Sequence, residues 1–337
     1  MTKILLNANE NPYNIPLEMR QEIADAVLDL NFNRYPELNS DALKILLADF
    51  YNVSAKQVSV GNGSDEVLGQ IIYKVPADKS LLVFTDDFSM YDYYANLAGV
   101  SVVKYERDYK KALDPTDFVE FAKTQEKTVD IIIFSNPHNP SGAVVDATAI
   151  KTILKGLPDV RIVVDEAYGE FYGQSMVDYI EDYANLYVTR TLSKAIGAAG
   201  VRVGVVLSNA ENIAVIEAGK VPYNVSALNA LAASIIVKPK YRSAIEENIQ
   251  KIINERDQMI KALNSLELKP GESLFVYPTE SNFVLLEVTS VPIIMKKLKK
   301  ADIEVRDFAD KPNQIRLAIG TPEENQQVIT ILKEVIA

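Results

Sequence analysis

The chain has 337 residues, of which 48% are hydrophobic, and its formal net charge is −11. This length and apolar content suffice for two packed units, and the negative charge argues against nucleic acid or an anionic membrane surface as a partner. Because the sequence has no cysteine and a single histidine, His138, it excludes disulfides, thiolate nucleophiles and cysteine- or histidine-rich metal sites, so no metal is expected.

The start of the chain does not resemble a signal peptide, because the short apolar run at residues 4–6 is followed at once by the polar residues 7–11. No apolar run in the sequence approaches the roughly 20 residues that cross a bilayer. We therefore expect a globular protein of the cytoplasm.

Short apolar runs rich in β-branched residues alternate with longer amphipathic segments, the first of which is 17–30. The runs predicted as strands are residues 58–60, 81–84, 100–103, 131–134, 162–164, 186–188 and 203–207. Runs that are apolar without alternation indicate strands covered on both faces, and hence a largely parallel sheet wrapped by helices. The expected class is α/β, with ligands at the carboxyl ends of the strands.

A second, smaller α/β unit is predicted after a long charged helix that begins at residue 239 and is ended by Pro270-Gly271. Its elements are a strand at 282–288, a helix at 291–300, a strand at 314–319 and a final helix from Pro322. We assign residues 31–238 to a large domain, and residues 1–30 and 239–337 to a small domain. The periodicity of the helix at 17–30 fits packing on either unit.

Four polar segments lie at predicted strand ends, where side chains must be functional or well satisfied. They are Gly61-Asn62-Gly63-Ser64-Asp65-Glu66, the segment 135–142, Asp165-Glu166-Ala167-Tyr168, and Thr191-Leu192-Ser193-Lys194 with Arg202 beyond. A pyridoxal phosphate site requires an amine, a carboxylate opposite the pyridine nitrogen, donors near the ring oxygen and a phosphate cradle. Each requirement has a candidate in these segments.

Lys194 is the candidate amine, which would hold the cofactor as a Schiff base, and the small residues 195–200 would allow close approach. Asp165 ends an apolar run, so its carboxylate would be desolvated unless a cation such as a protonated pyridine nitrogen faced it. Residues 61–65 lie between a strand and a helix, where backbone N–H groups and the helix dipole suit a phosphate. Ser193 and Arg202 would complete this cradle.

Each feature has an ordinary explanation when taken alone. Lys194 would more often be a surface lysine, Asp165 a helix cap or loop acid, and Asn139 a turn residue. A Ser-His-Asp hydrolase would need His138 as its base, but that residue lies between two prolines and no G-x-S-x-G segment occurs. A nicotinamide-dependent oxidoreductase is disfavoured because Glu66 occupies the last position of G-x-G-x-x-G. The set taken together favours the pyridoxal phosphate site.

At these residues the sequence resembles the fold-type I pyridoxal-phosphate aminotransferases, and within them the histidinol-phosphate aminotransferase family, over essentially the whole chain. The most specific matches are Asn7-Ala8-Asn9-Glu10-Asn11-Pro12, Asn33-Arg34-Tyr35-Pro36, Phe88-Ser89-Met90-Tyr91, Asp165-Glu166-Ala167-Tyr168, Ser193-Lys194, Val305-Arg306-Asp307 and residues 316–321. Two departures are Asp86-Asp87, where the family usually has Pro-Thr, and His138, which replaces a common asparagine.

The resemblance implies a role for each cofactor residue. Lys194 forms the Schiff base, Asp165 pairs with the pyridine nitrogen, Tyr91 stacks on the ring, and Asn139 and Tyr168 bond the ring oxygen. The phosphate is contacted by the 63–65 segment and three side chains, so the implied set is Gly63, Ser64, Asp65, Ser193, Arg202 and Tyr35. Tyr35 would come from the neighbouring subunit, which makes the active unit a homodimer.

On the substrate side, Arg316 matches the anchor for the amino donor's carboxylate, and Arg306 matches a residue associated with the phosphate of histidinol phosphate. Arginine suits both anions because its planar fork bonds carboxylate or phosphate bidentately. The alternative is that these arginines form surface ion pairs with Glu304 or Asp307. The remaining predicted substrate residues are Asn11 and Tyr35.

The activity implied is reversible transamination of histidinol phosphate with 2-oxoglutarate, giving glutamate, in L-histidine biosynthesis. Within the same fold, a threonine-phosphate decarboxylase and an aromatic or broad-range aminotransferase share most of these motifs. The sequence discriminates poorly among the three.

Overall fold

The computed structural model describes residues 3–337, which form two β-sheets surrounded by helices. The strands in this range are β1 (Ile4–Leu6), β2 (Val58–Gly61), β3 (Ser80–Phe84), β4 (Ser101–Tyr105), β5 (Val129–Ser135), β6 (Arg161–Asp165), β7 (Leu186–Thr191), β8 (Gly204–Leu207), β9 (Leu274–Val276), β10 (Phe283–Val288), β11 (Ile303–Asp307) and β12 (Gln314–Ala318). The α-helices are α1 (Leu17–Leu28), α2 (Asp41–Tyr51), α3 (Ser64–Ile72), α4 (Met90–Ala98), α5 (Pro115–Lys123), α6 (Ala147–Gly156), α7 (Gly169–Tyr172), α8 (Ala210–Glu217), α9 (Ala227–Ile236), α10 (Arg242–Asn264), α11 (Val291–Lys300) and α12 (Pro322–Ile336).

The larger sheet has the strand order β2-β8-β7-β6-β5-β3-β4. Its strands pair in parallel except at β8, which runs antiparallel to both β2 and β7. Alternate residues of β3 enter opposite cores: Leu82 and Phe84 on one face, Leu81 and Val83 on the other. The continuous apolar runs are therefore buried on both faces, and the predicted α/β class with a mostly parallel sheet is confirmed.

Several helices begin where the sequence supplies a cap. Asp114 accepts hydrogen bonds from two backbone N–H groups at the start of α5, and Asp146 accepts one at the start of α6. Thr321 and Glu324 form a reciprocal capping box at the start of α12, where Pro322 occupies the first turn. These caps set the points at which the chain leaves each preceding loop.

The smaller sheet has the order β1-β11-β12-β10-β9, in which β1 pairs with β11 in parallel and the other pairs are antiparallel. The predicted strands at 282–288 and 314–319 correspond to β10 and β12, and the predicted helices to α10, α11 and α12. Residues of these helices, including Ile252, Leu298 and Leu332, share a core with the sheet.

Residues 3–30 contact both cores. β1 extends the smaller sheet, whereas Met19 of α1 is fully buried in the core of the larger sheet. The domain boundaries at residues 30 and 238 therefore stay a prediction. Among residues 3–337, none of the helices combines the length and apolar character needed to cross a lipid bilayer.

One edge of the larger sheet gathers the polar strand ends. β5, β6 and β7 are parallel neighbours, so Ser135, Asp165 and Thr191 finish at the same edge. Because β8 is antiparallel, its first residue, Gly204, lies at that edge opposite Thr191 and Gly61. The segments that carry the predicted site residues thus meet at one place.

Candidate active site

Asp165 ends β6 with its side chain inside the protein, where the residue is 3% exposed. Its Oδ2 accepts a hydrogen bond from the Tyr91 hydroxyl at 2.8 Å, and its Oδ1 accepts from the Thr189 hydroxyl at 2.8 Å and the Ala167 N–H at 3.2 Å. Burial raises the pKa of this carboxyl, and the three hydrogen bonds act against that rise. Since no lysine or arginine of residues 3–337 forms an ion pair with it, the carboxylate has room for an external cation.

Lys194 follows β7 by three residues, in the loop next to the end of β6. Its Nζ donates a hydrogen bond to the Ala8 carbonyl at 2.7 Å. The N-terminal segment therefore passes directly over the amine. No carboxylate of the described residues forms an ion pair with Lys194, so its amine is held only by a neutral acceptor that a ligand can replace.

The start of α3 forms a cradle with Arg202 and Ser193. Gly63 precedes α3 with a φ of +87°, and a Cβ there would lie 2.7 Å from Arg202 Nη2, so the guanidinium packs directly on this glycine. Arg202 Nη1 lies 3.4 Å from Ser193 Oγ, and Nη2 lies 3.4 Å from Asp65 Oδ2. Free N–H groups at a helix start, a hydroxyl and a guanidinium are the donors that a phosphate dianion needs. The structure brings together Gly63, Ser64, Asp65, Ser193 and Arg202.

Asn139 and Tyr168 are each held by a neighbouring side chain. Asn139 Oδ1 accepts a hydrogen bond from Arg316 Nη1, while its Nδ2 makes no hydrogen bond within residues 3–337. The Tyr168 hydroxyl accepts from Asn9 Nδ2 at 2.9 Å and donates to no residue of that range. Both groups therefore retain a free donor, as a bond to the ring oxygen of the cofactor would require.

Tyr91 is 1% exposed at the start of α4, with Phe88 packed edge-on against its ring. Its hydroxyl is bonded to Asp165, and burial followed by the charge of Asp165 raises its pKa well above the ordinary value. The tyrosine is thus in contact with the carboxylate that would pair with the cofactor. Its stacking on the ring stays a prediction.

Arg306 and Arg316 are directly opposite each other in the antiparallel pair of β11 and β12. Like charges in this position destabilise a sheet unless an anion lies between them. Arg316 is 8% exposed, and burial lowers its pKa. Its Nη2 donates to the Asn7 carbonyl at 2.8 Å, and its Nε has no hydrogen-bond partner in residues 3–337.

The alternative of surface ion pairs for these two arginines is not found among the described residues. Glu304 is paired with Lys3 instead, and neither Arg306 nor Arg316 forms an ion pair with any carboxylate of residues 3–337. Arg316 is therefore a buried cation without an anion, as expected of a binding site for a carboxylate or phosphate.

Asn11 and Tyr35 have other neighbours in the structure. Asn11 Nδ2 donates to the Ala195 carbonyl at 2.9 Å, and its Oδ1 accepts from the Tyr13 N–H, so the side chain secures the loop after Lys194. Tyr35 is 82% exposed and stacks on Tyr223 at 4.8 Å between ring centroids. Its hydroxyl makes no hydrogen bond within residues 3–337. The substrate role of both residues, and the phosphate role of Tyr35, stay predictions.

Three polar residues that contact the site were missed by the sequence reasoning. Asn9 holds the Tyr168 hydroxyl, Thr189 holds Asp165, and Asp87 accepts hydrogen bonds from Ser135, which in turn accepts from the Asn139 N–H. Asn9 belongs to the segment 7–12 that matches the family, and Asp87 belongs to a segment that departs from it, but neither residue was given a role. Thr189 carries a weaker signal, as a polar residue inside an apolar strand.

The residues present fit a pyridoxal phosphate group. The strongest observation is the buried Asp165 carboxylate, which lacks a cation, next to an amine at Lys194 that has only a carbonyl acceptor. The cradle at Gly63 and the free donors on Asn139 and Tyr168 supply the other requirements set out from the sequence.

Comparison with known proteins agrees with this arrangement. Residues 1–332 match the family described as aminotransferase class I and II. The histidinol-phosphate aminotransferase of Clostridium novyi (strain NT) is 38% identical over 98% of this chain and 91% of its own length. The crystal structure of the histidinol-phosphate aminotransferase from Clostridium acetobutylicum is similar with a TM-score of 0.87 at 26% identity, covering 98% of each chain.

A further solved structure, the histidinol-phosphate aminotransferase from Sinorhizobium meliloti in complex with pyridoxal-5'-phosphate, has a TM-score of 0.85 at 22% identity, covering 99% of this chain and 90% of that one. Similarity at this identity concerns the fold alone. The predicted fold-type I architecture is confirmed by these neighbours and by the mostly parallel sheet. The chain therefore belongs to the aminotransferase class I and II family.

Proposed function

We propose that this protein transfers the amino group of histidinol phosphate to 2-oxoglutarate with pyridoxal 5'-phosphate as cofactor, a reversible step of L-histidine biosynthesis that yields imidazole acetol phosphate and glutamate. The observation that carries the proposal is the placement of Lys194 and the cation-free carboxylate of Asp165 at adjacent strand ends. The family match over residues 1–332 and the names of the relatives support the reaction and the substrate.

The cofactor would be held at both ends by this chain. Ser64 and Asp65 would offer backbone N–H groups to its phosphate beside Gly63, with Ser193 and Arg202 alongside. Asp165 would face the pyridine nitrogen and keep it protonated, because a buried carboxylate is stabilised by a neighbouring cation. When bound, pyridoxal 5'-phosphate supplies an electron-withdrawing ring that delocalises the charge left when a proton leaves the substrate carbon.

Lys194 would both anchor the cofactor and move the proton. With a substrate amine bound, Lys194 Nζ would be free to accept the proton from the substrate carbon and to give it up again as the transfer is completed. Asn139 Nδ2 and the Tyr168 hydroxyl would orient the ring by donating to its oxygen. Asn9 fixes the Tyr168 hydroxyl at 2.9 Å, which leaves the tyrosine's own hydrogen for this bond.

The two arginines would hold the anionic parts of the two substrates. Arg316 is buried and immobilised by Asn7 and Asn139, so it suits a carboxylate that must always bind in one place. Arg306 lies opposite Arg316 on the neighbouring strand and is exposed, so it would be able to reach the phosphate of a substrate that enters from the solvent. Histidinol phosphate has no α-carboxylate, and an arginine accepts either anion without changing its protonation.

We further propose that the active unit is a homodimer in the cytoplasm, in which each subunit donates Tyr35 to the phosphate cradle of the other. This assignment is supported by the exposure of Tyr35, which is 82% exposed and whose hydroxyl makes no hydrogen bond within residues 3–337. The small-molecule partners would be histidinol phosphate, glutamate and 2-oxoglutarate.

The test is a product assay on the purified protein saturated with pyridoxal phosphate. We expect glutamate to form from 2-oxoglutarate only when histidinol phosphate is present, and Lys194→Ala to form none. Arg316→Lys keeps the charge but loses the fork, so we expect its KM for glutamate to rise about 10- to 100-fold, whereas Arg242→Lys on the surface leaves it unchanged. Release of carbon dioxide from phosphothreonine without an amino acceptor would instead establish a decarboxylase.

A further inference from the structure

A second buried carboxyl group, Asp87, lies beneath the loop that carries Asn139. Its side chain is 1% exposed. Its Oδ2 accepts a hydrogen bond from the Ser135 N–H at 3.0 Å, and its Oδ1 accepts from the Phe88 N–H at 2.7 Å and from the Ser135 hydroxyl. The proposed reaction uses none of these groups directly.

Ser135 passes this interaction on to Asn139. Because the Ser135 hydroxyl gives its hydrogen to Asp87, its oxygen lone pairs are free, and one accepts the Asn139 N–H at 3.0 Å. Asn139 then accepts from Arg316 through its side chain. A continuous series of hydrogen bonds thus runs from Asp87 to the residue that would meet the ring oxygen and to the residue that would hold the substrate carboxylate.

The rest of the loop is fixed independently, which leaves Ser135 as the connection to Asn139. The side chain of Asn136 is bonded to both the N–H and the carbonyl of Val145. His138 Nδ1 accepts from the Ser141 hydroxyl at 2.8 Å, and burial lowers the pKa of this histidine well below its ordinary value, so the ring is neutral. His138 Nε2 therefore carries a hydrogen, and it lies 3.9 Å from Asp87 Oδ1.

We propose that Asp87 is a positioning residue, which acts through the Ser135 hydroxyl to hold Asn139 where it meets both the cofactor's ring oxygen and Arg316. This inference rests on the proposed function, since it assigns Asp87 to the same site. The ionised form of Asp87 is the effective one, because only the carboxylate accepts from the Ser135 hydroxyl and both N–H groups at once.

The surroundings of Asp87 make its ionisation depend on pH in the working range. Burial raises its pKa to about 7, against the hydrogen bonds from Ser135 and Phe88, and the charge of Asp165 adds to the rise. The other titratable or charged groups that face it are Tyr91, Arg107, Tyr109 and His138. We therefore expect kcat/KM to fall below pH about 7 as Asp87 takes up its proton.

The experiment compares the holoenzyme with Asp87→Asn, Ser135→Ala and the double variant, and uses Asp108→Asn, a surface acid paired with Lys111, as the matched control. Three quantities are measured: kcat/KM against pH, the pH at which the bound chromophore changes its absorption, and thermal melting.

We expect each single variant to lower kcat/KM about 10- to 100-fold and to move the chromophore transition, because displacement of a group that contacts the cofactor has effects of this size. We expect the double variant to be no worse than either single one, since both interrupt the same series of bonds.

In Asp87→Asn the acid limb near pH 7 should also disappear, while Asp108→Asn should match the wild type in every measurement. The inference is overturned if the wild type is active but both single variants keep its kcat/KM and its chromophore transition, or if their effects simply add in the double variant. Should Asp87→Asn fail to fold, Ser135→Ala decides by the same measurements. A wild-type protein that has a chromophore but does not turn over histidinol phosphate would contradict the proposed substrate. The role of Asp87 would then be decided by whether the variants move the pH of the chromophore transition. A protein without any chromophore would overturn both proposals.

Discussion

Asp165 and Asp87 are two buried carboxyl groups within one site, and their neighbours assign them different tasks. Both accept three hydrogen bonds, and burial raises the pKa of both. In the proposed function Asp165 would face the pyridine nitrogen, whose positive charge would keep it ionised, whereas Asp87 faces His138, which is neutral. Only Asp87 therefore remains free to titrate in the complete enzyme.

The titration of Asp87 predicts a pH-dependent stability. Its pKa is about 7 in the folded protein against an ordinary value of 3.8, so the folded state binds the proton more tightly and Asp87 stabilises the fold at low pH. This contribution is lost as the pH rises toward 7, by about 2 kcal/mol between pH 5.5 and pH 7.5. We expect the free energy of unfolding of the wild type, minus that of Asp87→Asn, to fall by this amount when measured by urea unfolding with circular dichroism.

Asp108→Asn is the control for this measurement, because it removes a surface ion pair with Lys111 and keeps an amide oxygen that can accept from the Lys110 N–H. The difference between the wild type and this control should stay constant over the same pH range. A difference between the wild type and Asp87→Asn that stays constant, or that grows with pH, would contradict the assignment of the raised pKa to Asp87.

The sequence predicted residues whose signal is local. Lys194 and Asp165 were found because each follows an apolar run, and the structure places both at the same sheet edge. The roles of Asn9, Thr189 and Asp87 were missed because their partners are distant in the chain: Asn9 meets Tyr168 across 159 positions, Asp87 meets Ser135 across 48, and Thr189 meets Asp165 across 24. Such hydrogen bonds follow from the fold and leave no local pattern.

At the scale of single elements, the phosphate cradle depends on how closely α3 approaches its neighbours. Gly63 holds a φ of +87° with Arg202 packed on it, and Gly204 lies so near that a Cβ there would be 2.3 Å from the Ser64 nitrogen. The Ser64 and Asp65 N–H groups at the start of α3 have no hydrogen-bond acceptor within residues 3–337, so they are available to an anion.

Gly63→Ala should therefore weaken cofactor binding. The new methyl group would displace Arg202 Nη2, which lies 2.7 Å from its position, and we expect the dissociation constant for pyridoxal phosphate to rise about tenfold or more, the loss of one good phosphate contact. The measurement is a titration of the apoenzyme followed by absorption.

Gly271→Ala is the matched control, since Gly271 has a φ of +88° but nothing within 4 Å of its Cβ position. It introduces the same backbone strain away from the cradle, so we expect lower thermal stability with unchanged cofactor affinity. Equal effects of the two substitutions on affinity would mean that strain, and not contact with Arg202, is responsible.

Elements with a strong hydrophobic pattern were predicted well, and short edge elements were not. The predicted strands of the larger sheet all occur, because most of them are apolar runs buried on both faces, although the edge strand β4 is only half-buried. β1 and β9 have three residues each, too few to show a period, and they exist because β11 and β10 offer them hydrogen bonds. The antiparallel direction of β8 also depends on pairing that no local pattern reveals.

At the scale of the whole molecule, the site is assembled from both sheets and, in our proposal, from two subunits. Arg316 on the smaller sheet reaches Asn139 at the edge of the larger one, so substrate and cofactor groups meet at the junction. Lys311 and Asp86 form an ion pair across the same junction. Tyr35 lies outside this assembly within its own chain.

Donation of Tyr35 by the neighbouring subunit predicts complementation. Tyr35→Ala and Lys194→Ala should each have little activity alone, but a hybrid dimer of the two has one intact site, because the Lys194→Ala subunit donates its tyrosine to the partner. Random mixing should restore about one quarter of wild-type activity after unfolding and reassembly. Mixing Lys194→Ala with Asp165→Ala is the control, and it should restore no activity, because every site of that mixture lacks either Lys194 or Asp165.

The control mixture should therefore stay inactive even though hybrid dimers form. A hybrid of Lys194→Ala and Asp165→Ala has one defect in each site, whichever subunit supplies Tyr35. If instead the Tyr35→Ala and Lys194→Ala mixture stays inactive while dimers form, the tyrosine acts within its own chain or not at all.

The role of Lys194 in a pyridoxal phosphate site is tested by the absorption spectrum of the purified protein with pyridoxal phosphate, recorded before and after histidinol phosphate is added without an acceptor. We expect a bound chromophore that shifts on addition, with one equivalent of imidazole acetol phosphate released per site, and no release from Lys194→Ala. A protein that binds no chromophore at saturating pyridoxal phosphate, or whose chromophore does not respond to histidinol phosphate, would contradict it.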